Sequence, residues 1–245
     1  YDFIKMGEEA YVDLNSFTTS GKKMKGTRAV LNRIEREGFT FDVLQPPFSA
    51  EQMSIFKNIS DNWLGSRKEK GFSLGFFSED YLQRAPIAVV KNTQEEIVAF
   101  ATIMPTYTNN KVGTIDLMRY DPKKAPSGSM DFLFLHLFAY MKEEHIQWFN
   151  LGMAPLSNVG TSRKSFLQER IAYLVYEFGS HFYSFHGLRE YKSKYATNWV
   201  SRYTLYSRDS WIAYVMIALL IIDNAPVEQT QGRISGLKKW IRRKY

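Results

Sequence analysis

Three apolar segments in the middle of the chain constrain its fold most strongly. They span residues 87–90, 97–104 and 112–118, and short polar turns at 92–95 and 109–110 separate them. Segments of this length that are rich in Val, Ile and Phe are typical of strands, and the Asn-Asn pair of the second turn favours a hairpin. We therefore expect a three-stranded antiparallel meander.

The helix predicted to follow this meander is apolar on nearly all sides. Ser129 or Asp131 is expected to cap its start, and the helix runs to about His145. Because Phe, Leu and Met fill most of its positions, we expect burial on most sides. The elements predicted after it are a strand at 148–153, a helix at 162–177, a short strand at 182–185, a helix or turn at 188–195 and a strand at 199–206.

The order meander, helix, strand, helix, strand is that of an N-acetyltransferase-like (GNAT) fold, which has an α+β architecture. The first half has elements of its own, from one or two strands within residues 1–14 to a helix opened by a capping box of Ser49 and Gln52. We therefore predict two tandem GNAT-like units with mixed, mostly antiparallel sheets flanked by helices. The N-terminal unit is expected to span residues 1–85, and the C-terminal unit residues 86–245.

The first predicted helix, between residues 20 and 38, has a strongly basic face. Met24, Leu31 and Ile34 recur on the other face at helical spacing, and Gly38 lies where a C-terminal cap is expected. A solvated charged face is one interpretation, and a surface that follows nucleic-acid phosphates is the other. The basic side chains are Lys22, Lys23, Lys25, Arg28, Arg33 and Arg36.

The composition excludes several kinds of site. Without cysteine the chain has no disulfide, no Cys-ligated zinc and no Cys nucleophile, and four histidines argue against a His-built metal site. No dinucleotide-binding or P-loop motif occurs, so we expect neither a metal nor a cofactor. The formal charge of +7 favours nucleic acid or anionic lipid as partners, although ordinary soluble proteins also carry such a charge.

Features near the two ends predict the context of the chain. It begins at Tyr1 without a basic and apolar leader, which is expected of a piece of a longer polypeptide. The longest apolar run, residues 211–222, is shorter than the about twenty residues of a membrane span, so we expect a buried or interfacial helix. The basic, amphipathic tail at 234–245 suits either an anionic bilayer or a solvated end.

The connection at residues 119–130 argues against acetyl-coenzyme A as acyl donor. An acetyltransferase of this fold binds the coenzyme A pyrophosphate with free backbone N–H groups of a glycine-rich turn. Here the connection has one glycine and two prolines, and proline has no N–H group. We therefore expect a different acyl donor.

Asp116 and Arg119 form the first candidate for chemistry, at the end of the third strand of the meander. A carboxylate and a guanidinium at this spacing can bind a substrate ammonium and a phosphate or carboxylate, respectively. The alternative is a mutual salt bridge at a strand edge.

A second candidate cluster combines cations with aromatic side chains. Arg189, Lys192 and Lys194 are interleaved with Tyr191 and Tyr195. This pattern suits phosphate binding or the stabilisation of transition-state charge, and a desolvated lysine can also transfer a proton. The alternative is a set of solvated surface lysines.

Further candidates lie on and after the strand that follows the apolar helix. Asn150, Ser157 and Asn158 lie on and after the strand that ends at Gly152, where a bent backbone can present N–H and amide donors to a developing oxyanion. Ser157 has neither a G-x-S-x-G setting nor a nearby His base, so a capping or loop-stabilising role is the alternative. Glu169 and Glu177 can hold a basic side chain or act as a base, or they are surface carboxylates.

Several motifs occur in the same order as in a known family. They are Phe149–Ser157 and His181–Tyr195, supported by Gly7–Ala10, Ser20–Lys23, Leu31–Gly38, Gly71–Gly75 and Asp116–Arg119. With these motifs the chain resembles, over residues 1–206, the C-terminal catalytic domain of the aminoacyl-phosphatidylglycerol synthases, the multiple peptide resistance factor family that includes the lysyl-phosphatidylglycerol synthases.

The resemblance implies a tandem GNAT-like fold behind an N-terminal transmembrane flippase domain of the same polypeptide, at the cytoplasmic face of the bacterial membrane. It implies transfer of an aminoacyl group from charged tRNA to the glycerol hydroxyl of phosphatidylglycerol. The product makes the membrane less anionic and confers resistance to cationic antimicrobial peptides. Lysine is the expected amino acid, and alanine is the main alternative.

The resemblance also implies roles for the candidate residues. Asp116, Arg119 and a lysine of the segment 191–194, either Lys192 or Lys194, match functional positions, and Glu177 is the nearest candidate for the acidic residue of the family. The remaining expectations are substrate binding by Asn150, Gly152, Ser157, Arg189 and Tyr191, and tRNA binding by Lys22, Lys23, Lys25, Arg28 and Arg33.

Two other functions stay open from the sequence. One is aminoacyl transfer from tRNA to a peptidoglycan peptide, the reaction of related tRNA-dependent ligases. The other is a non-enzymatic module that binds tRNA or an anionic membrane.

Overall fold

A computed structural model of the chain describes residues 1–67, 69, 75–104, 106, 111–161 and 185–209. These ranges contain seven strands and five helices. The strands are β1 (Asp2–Asp13), β2 (Thr40–Leu44), β3 (Ile87–Lys91), β4 (Ile97–Met104), β5 (Val112–Tyr120), β6 (Trp148–Pro155) and β7 (Asn198–Tyr206). The helices are α1 (Lys25–Arg36), α2 (Ala50–Leu64), α3 (Glu79–Leu82), α4 (Ser129–Glu143) and α5 (Phe185–Ser193).

The strands form one sheet in the order β2-β3-β4-β5-β6-β1-β7. All neighbouring strands are antiparallel except β5 and β6, which are parallel. The predicted meander is confirmed as β3, β4 and β5, and the α+β fold class is confirmed with it. The first strand of the chain lies between β6 and β7, so β1 brings residues near the N-terminus into the middle of the sheet's second half.

Apolar residues cover both faces of the sheet. Ala88 and Val90 of β3 belong to the cluster under α1, α4 and α5, whereas Ile87 and Val89 point to the opposite cluster under α2. A strand buried on both faces is apolar at successive positions, which explains why β3 shows no alternation with polar residues. The predicted burial of α4 on most sides is confirmed, because eight of its residues are buried.

Local sequence signals fix several helix ends. Gln52 N donates to Ser49 Oγ (3.2 Å) and Ser49 N donates to Gln52 Oε1 (2.9 Å), so the predicted capping box is confirmed. After α1 the N–H groups of Gly38 and Phe39 donate back to carbonyls of the last turn, as predicted for a glycine-terminated helix. The helix begins at Lys25, so Lys22 and Lys23 precede it.

The predicted cap of α4 is wrong. Its N-cap is Gly128, in a left-handed conformation (φ 87°) that favours glycine, and no side chain caps the helix. Ser129 Oγ instead donates to the carbonyl of Pro126, and the Asp131 carboxylate accepts from Tyr195 of the segment after α5. Both candidate cap residues therefore serve other contacts.

The C-terminal half differs from the prediction at one boundary. Helix α5 begins at Phe185, which was expected to end a strand, and the rest of that predicted strand lies outside the described residues. The predicted helices at 162–177 and 211–222 and the basic tail also lie outside them. No helix in the described ranges is long and apolar enough to cross a membrane.

Strands from both sides of residue 85 share the sheet. β1 and β2 precede this position, and they pair with β6, β7 and β3, which follow it. The division into units at residues 1–85 and 86–245 stays a prediction.

Candidate active site

Strands β5 and β6 separate after a short stretch of pairing. They pair from Val112–Trp148 to Thr114–Asn150, and Thr114 Oγ1 donates to the Asn150 carbonyl (2.9 Å) at the last of these pairs. Both strands continue beyond that point, to Tyr120 and Pro155. An opening therefore forms between their carboxyl-terminal ends, where the candidate residues of both strands lie.

A β-bulge places Asp116 and Arg119 on the same side of the sheet. Residues three apart in a regular strand face opposite sides. Here Met118 pairs with Ala101 while Ile115 pairs with Ile103, so β5 has one more residue than β4 over this stretch. The extra residue restores a common side for Asp116 and Arg119, toward α2 and α3.

Asp116 is an exposed carboxylate held by two donors. Tyr81 Oη donates to Oδ2 (2.5 Å), and the backbone N–H of Gly75 donates to Oδ1 (3.1 Å). Burial and the bond to Asp116 raise the pKa of Tyr81 well above its usual range, so its hydroxyl stays protonated as a donor. The carboxylate is thereby oriented while its outer side faces solvent.

Arg119 is packed more deeply. Its guanidinium lies 3.9 Å from the centre of the Trp63 ring and donates to Glu69 (2.8 Å), and its side chain is 11% exposed. Burial lowers the pKa of Arg119, but an arginine remains charged. The interpretation of a mutual salt bridge is wrong, because Asp116 and Arg119 each have other partners and form no ion pair with each other.

Lys192 lies on the opposite face of the sheet, beside β6. It extends from α5 and donates from Nζ to the Met153 carbonyl of β6 (2.8 Å). Gly152, at φ 81°, is so close that a Cβ there would lie 3.5 Å from Nζ. Burial lowers the pKa of Lys192 to about 8, and the nearby carboxylate of Glu9 partly opposes this shift. This lysine can therefore gain or lose a proton near neutral pH.

The other lysine of the segment has a different environment. Lys194 is 43% exposed, pairs with Asp131 at the start of α4 (3.4 Å) and lies 4.6 Å from the centre of the Tyr191 ring. Tyr195 donates to the same carboxylate, and burial raises the pKa of both tyrosines. Lys194 thus links α5 to α4, and it is Lys192 that faces β6.

Two acidic residues that received no role from the sequence lie beside this cluster. Glu8, on β1, accepts from Lys5 (3.0 Å), Asn158 (2.8 Å) and Arg189 (2.5 Å), and its side chain is 8% exposed. Burial raises the pKa of Glu8, but these hydrogen bonds outweigh it and hold the pKa below the usual range. Arg189 also stacks 4.3 Å from the ring centre of Trp199. It therefore ties α5 to β1 and β7.

Glu9 has its own network, directed at β6. It accepts from Asn150 Nδ2 (2.8 Å), Arg202 Nε (2.5 Å) and Tyr11 Oη (2.9 Å), and Gly152 N donates to Asn150 Oδ1 (2.7 Å). Hydrogen bonds outweigh burial here too, and the pKa of Glu9 is lowered. The sequence does contain a signal for both residues, because two adjacent carboxylates are unusual inside a predicted strand whose other residues are largely apolar.

The predicted oxyanion donors are engaged within the protein. The side-chain amides of Asn150 and Asn158 donate to Glu9 and Glu8, respectively (2.8 Å each), and Ser157 is fully buried with Oγ accepting from the backbone N–H of Glu8 (3.1 Å). Ser157 therefore has the loop-stabilising contact that was the alternative. Substrate contacts of Asn150, Gly152, Ser157, Arg189 and Tyr191 stay predictions, and Glu169 and Glu177 lie outside the described residues.

The basic residues near α1 divide into two groups. Lys22, Lys23 and Lys25 are exposed. Arg28 donates to the carbonyls of Thr19 and Gly21, and Arg33 donates to Ser127 and pairs with Glu37 (3.6 Å). The three lysines are thus available to a ligand, whereas the two arginines also hold neighbouring loops.

Fold and site together define a class of protein, an α+β domain with a seven-stranded, mostly antiparallel sheet and charged groups near the point where its two parallel strands separate. The family model described as "Phosphatidylglycerol lysyltransferase, C-terminal" matches residues 1–206. The chain belongs to this family.

Relatives with assigned names support this membership. The phosphatidylglycerol lysyltransferase of Bacillus subtilis (strain 168) is 52% identical over 216 residues, which are 88% of this chain and 25% of that protein. The enzyme of the same name from Staphylococcus aureus (strain COL) is 45% identical over 208 residues, 85% of this chain and 24% of that protein. The chain thus spans about a quarter of the length of the curated relatives it matches.

Two solved structures are similar over most of the chain. The structure of L-PGS from Bacillus licheniformis is 50% identical, with a TM-score of 0.77. The C-terminal domain of a putative lysylphosphatidylglycerol synthetase from Agrobacterium fabrum is 37% identical, with a TM-score of 0.72. Each alignment covers 91% of this chain and 67% of the other.

Proposed function

We propose that this chain is the transfer domain of an enzyme that moves a lysyl group from lysyl-tRNA to the glycerol hydroxyl of phosphatidylglycerol. The observation that carries this proposal is the family match over residues 1–206, together with 52% identity to a phosphatidylglycerol lysyltransferase. The same relatives favour lysine over alanine, because they are named for lysyl transfer.

Lysyl transfer between two esters requires only a few functions from the site. Exchange of one ester for another needs alignment of the hydroxyl with the aminoacyl carbonyl, one proton transfer and stabilisation of one oxyanion. Lys192 suits the proton transfer or the oxyanion because it is buried, next to the opening and near its point of titration. The oriented carboxylate of Asp116 suits an ammonium group of the lysyl moiety, and Arg119 adds a fixed positive charge.

The loop after β5 supports a donor other than coenzyme A. Several of its N–H groups already donate within the loop: Lys123 N to Asp121 Oδ1 (2.8 Å), and Lys124 N and Ala125 N to the Asp121 carbonyl (3.3 and 2.9 Å). The exposed lysines before and at the start of α1 are the corresponding support for a tRNA donor.

The proposal includes the setting of the reaction. The domain acts at the cytoplasmic face of the bacterial membrane, next to an N-terminal transmembrane domain of the same polypeptide, as in the family it resembles. Each lysyl group added to phosphatidylglycerol replaces a net negative charge with a positive one, which lowers attraction of cationic antimicrobial peptides to the membrane.

The test uses the intact polypeptide that carries this chain, radiolabelled lysyl-tRNA and phosphatidylglycerol vesicles. We expect labelled lipid from the wild type, a loss of at least about hundredfold in Asp116→Asn, and an unchanged rate in the control Asp61→Asn, an exposed carboxylate on α2. Label on a peptidoglycan peptide but not on lipid would contradict the acceptor, and faster transfer from alanyl-tRNA would contradict the amino acid.

A further inference from the structure

Glu9 begins a chain of hydrogen bonds that runs into the turn of β6. Arg202 of β7 anchors one oxygen of its carboxylate (2.5 Å), and Asn150 Nδ2 donates to the other (2.8 Å). The opposite end of the same amide accepts from Gly152 N (2.7 Å). Because both ends of the Asn150 amide are engaged, the side chain is fixed in orientation between Glu9 and Gly152.

The turn at Gly152 leads directly to Lys192. Gly152 has φ 81°, a left-handed conformation that interrupts the regular strand, and the next residue, Met153, points its carbonyl at Lys192 Nζ (2.8 Å). The position of Nζ therefore depends on the conformation of this turn, and the turn depends on the bond from Gly152 to Asn150.

We propose that Glu9 is a positioning residue for Lys192: it fixes Asn150, Asn150 fixes the turn at Gly152, and the turn presents the Met153 carbonyl to the lysine ammonium. The relevance to transfer rests on the proposed function, which assigns Lys192 to the reaction. The arrangement itself rests on the contacts alone.

Glu9 also supplies negative charge to the lysine. Burial favours the neutral form of Lys192, and among the residues that the structure describes Glu9 is the charged group that favours the cation. Nearby cations have their own partners, since Arg189 pairs with Glu8 and Lys194 with Asp131. The titratable and charged groups that the described residues bring to this region are Lys5, Glu8, Glu9 and Tyr11 on β1, Asp131 on α4, Arg189, Glu190, Tyr191 and Lys194 on and after α5, Tyr195, and Arg202 on β7.

Competitive labelling with acetic anhydride over a pH series tests this role, because the labelling midpoint of each lysine reports its own protonation. In Glu9→Gln the amide oxygen can still accept from Asn150, but the charge is gone. We expect the Lys192 midpoint to fall and its labelling at pH 7 to rise about threefold, the change produced by a shift of about half a pH unit. The control Glu143→Gln, an exposed carboxylate at the end of α4, leaves the midpoint unchanged.

A second variant separates positioning from charge. Asn150→Leu removes both the donor to Glu9 and the acceptor for Gly152 while Glu9 keeps its charge, so the turn no longer holds the Met153 carbonyl against the ammonium and the Lys192 midpoint falls. An unchanged midpoint in Glu9→Gln or in Asn150→Leu would overturn the positioning role.

Because labelling needs no substrate, it tests the positioning role of Glu9 independently of the proposed lysyl-transfer function. If the midpoints shift as expected and the pH–rate profile of lysyl transfer shifts with them, Lys192 acts in the reaction and Glu9 positions it. If the midpoints shift but no lysyl lipid forms with the wild type, the positioning stands and the proposed function fails.

Discussion

Tyr81 holds the most exposed acidic group of the site in place. Its hydroxyl stays protonated and donates to Asp116 (2.5 Å), which fixes the carboxylate on a strand that has a bulge at this point. Sequence spacing pointed to Asp116 and Arg119 but not to Tyr81, since 35 residues separate Tyr81 from Asp116. A contact of that kind depends on the packing of α3 against the sheet, which no local pattern contains.

Removing the Tyr81 hydroxyl tests whether this orientation matters. We expect Tyr81→Phe to lower kcat/KM for lysyl transfer about tenfold, because a hydrogen bond to a charged group contributes about 1.5–3 kcal/mol and part of it is lost to solvent here. Steady-state kinetics with varied lysyl-tRNA measures the effect. Tyr140→Phe, a half-buried tyrosine on α4, is the control, and an equal loss in both variants would argue against a specific role.

At the scale of elements, strand β1 is the part that sequence reasoning placed least well. The residues of β1 were expected to form one or two strands, and they form one strand. A strand pattern in the sequence does not say which other strands will lie beside it. β1 pairs with β6 and β7, which lie more than a hundred residues away. The meander and α4 were predictable because their partners are adjacent in sequence. Glu8 and Glu9 gained a role only from the pairing of β1.

The close approach of β1 and β6 gives a stability prediction. Gly7 has φ 149°, and a Cβ there would collide with the Ala154 carbonyl and lie 3.0 Å from Leu156 N. We expect Gly7→Ala to lower the free energy of unfolding by about 3 kcal/mol, measured by urea denaturation. The control Gly26→Ala lies in α1 with open space around it and raises this free energy by about 0.5–1 kcal/mol. A Gly7→Ala variant as stable as the wild type would contradict the β1–β6 register.

The start of α1 gives a prediction on the donor. Lys22, Lys23 and Lys25 are exposed, so they can contact phosphates without breaking internal bonds. We expect their joint replacement by Gln to weaken lysyl-tRNA binding. The logarithm of the association constant should also fall less steeply with the logarithm of the salt concentration, by about 2 in slope, because each phosphate contact contributes about 0.7–0.9. Filter binding at several salt concentrations measures it. The control is the double variant Lys57→Gln, Lys123→Gln, which should keep the wild-type slope. If the variant of the three lysines has the same slope as this control, the proposed tRNA contact at the start of α1 is contradicted.

At the scale of the whole molecule, the two sets of charged groups lie on opposite faces of the sheet, near the point where the β5–β6 pairing ends. Asp116 and Arg119 pack with α2 and α3, and Lys192 extends from α5. The sequence indicated each set, and the order of elements indicated the fold. That both sets serve one site is part of the proposed function, because no sequence pattern says how far strands β5 and β6 stay paired.

The buried carboxylates of β1 predict how stability changes with acid. Glu8 and Glu9 have lowered pKa values in the folded protein against 4.5 for the free side chain. Their stabilising contribution is therefore present above about pH 4.5 and is lost as the pH falls through the folded-state values. We expect the free energy of unfolding to fall below about pH 4.5, and to fall less steeply in Glu8→Gln. Urea denaturation over a pH series measures both, with Glu51→Gln as the exposed control.

The central claim is that Asp116 and Lys192 belong to one transfer site. The most direct test measures the rate of lysyl-lipid formation by the intact polypeptide in three forms: Asp116→Asn, Lys192→Met and the double variant. We predict that each single variant loses at least about hundredfold in kcat and that the double variant loses no more than about tenfold further, because residues acting in one step are non-additive. A single variant with the wild-type rate, or losses that multiply in the double variant, would contradict a shared site.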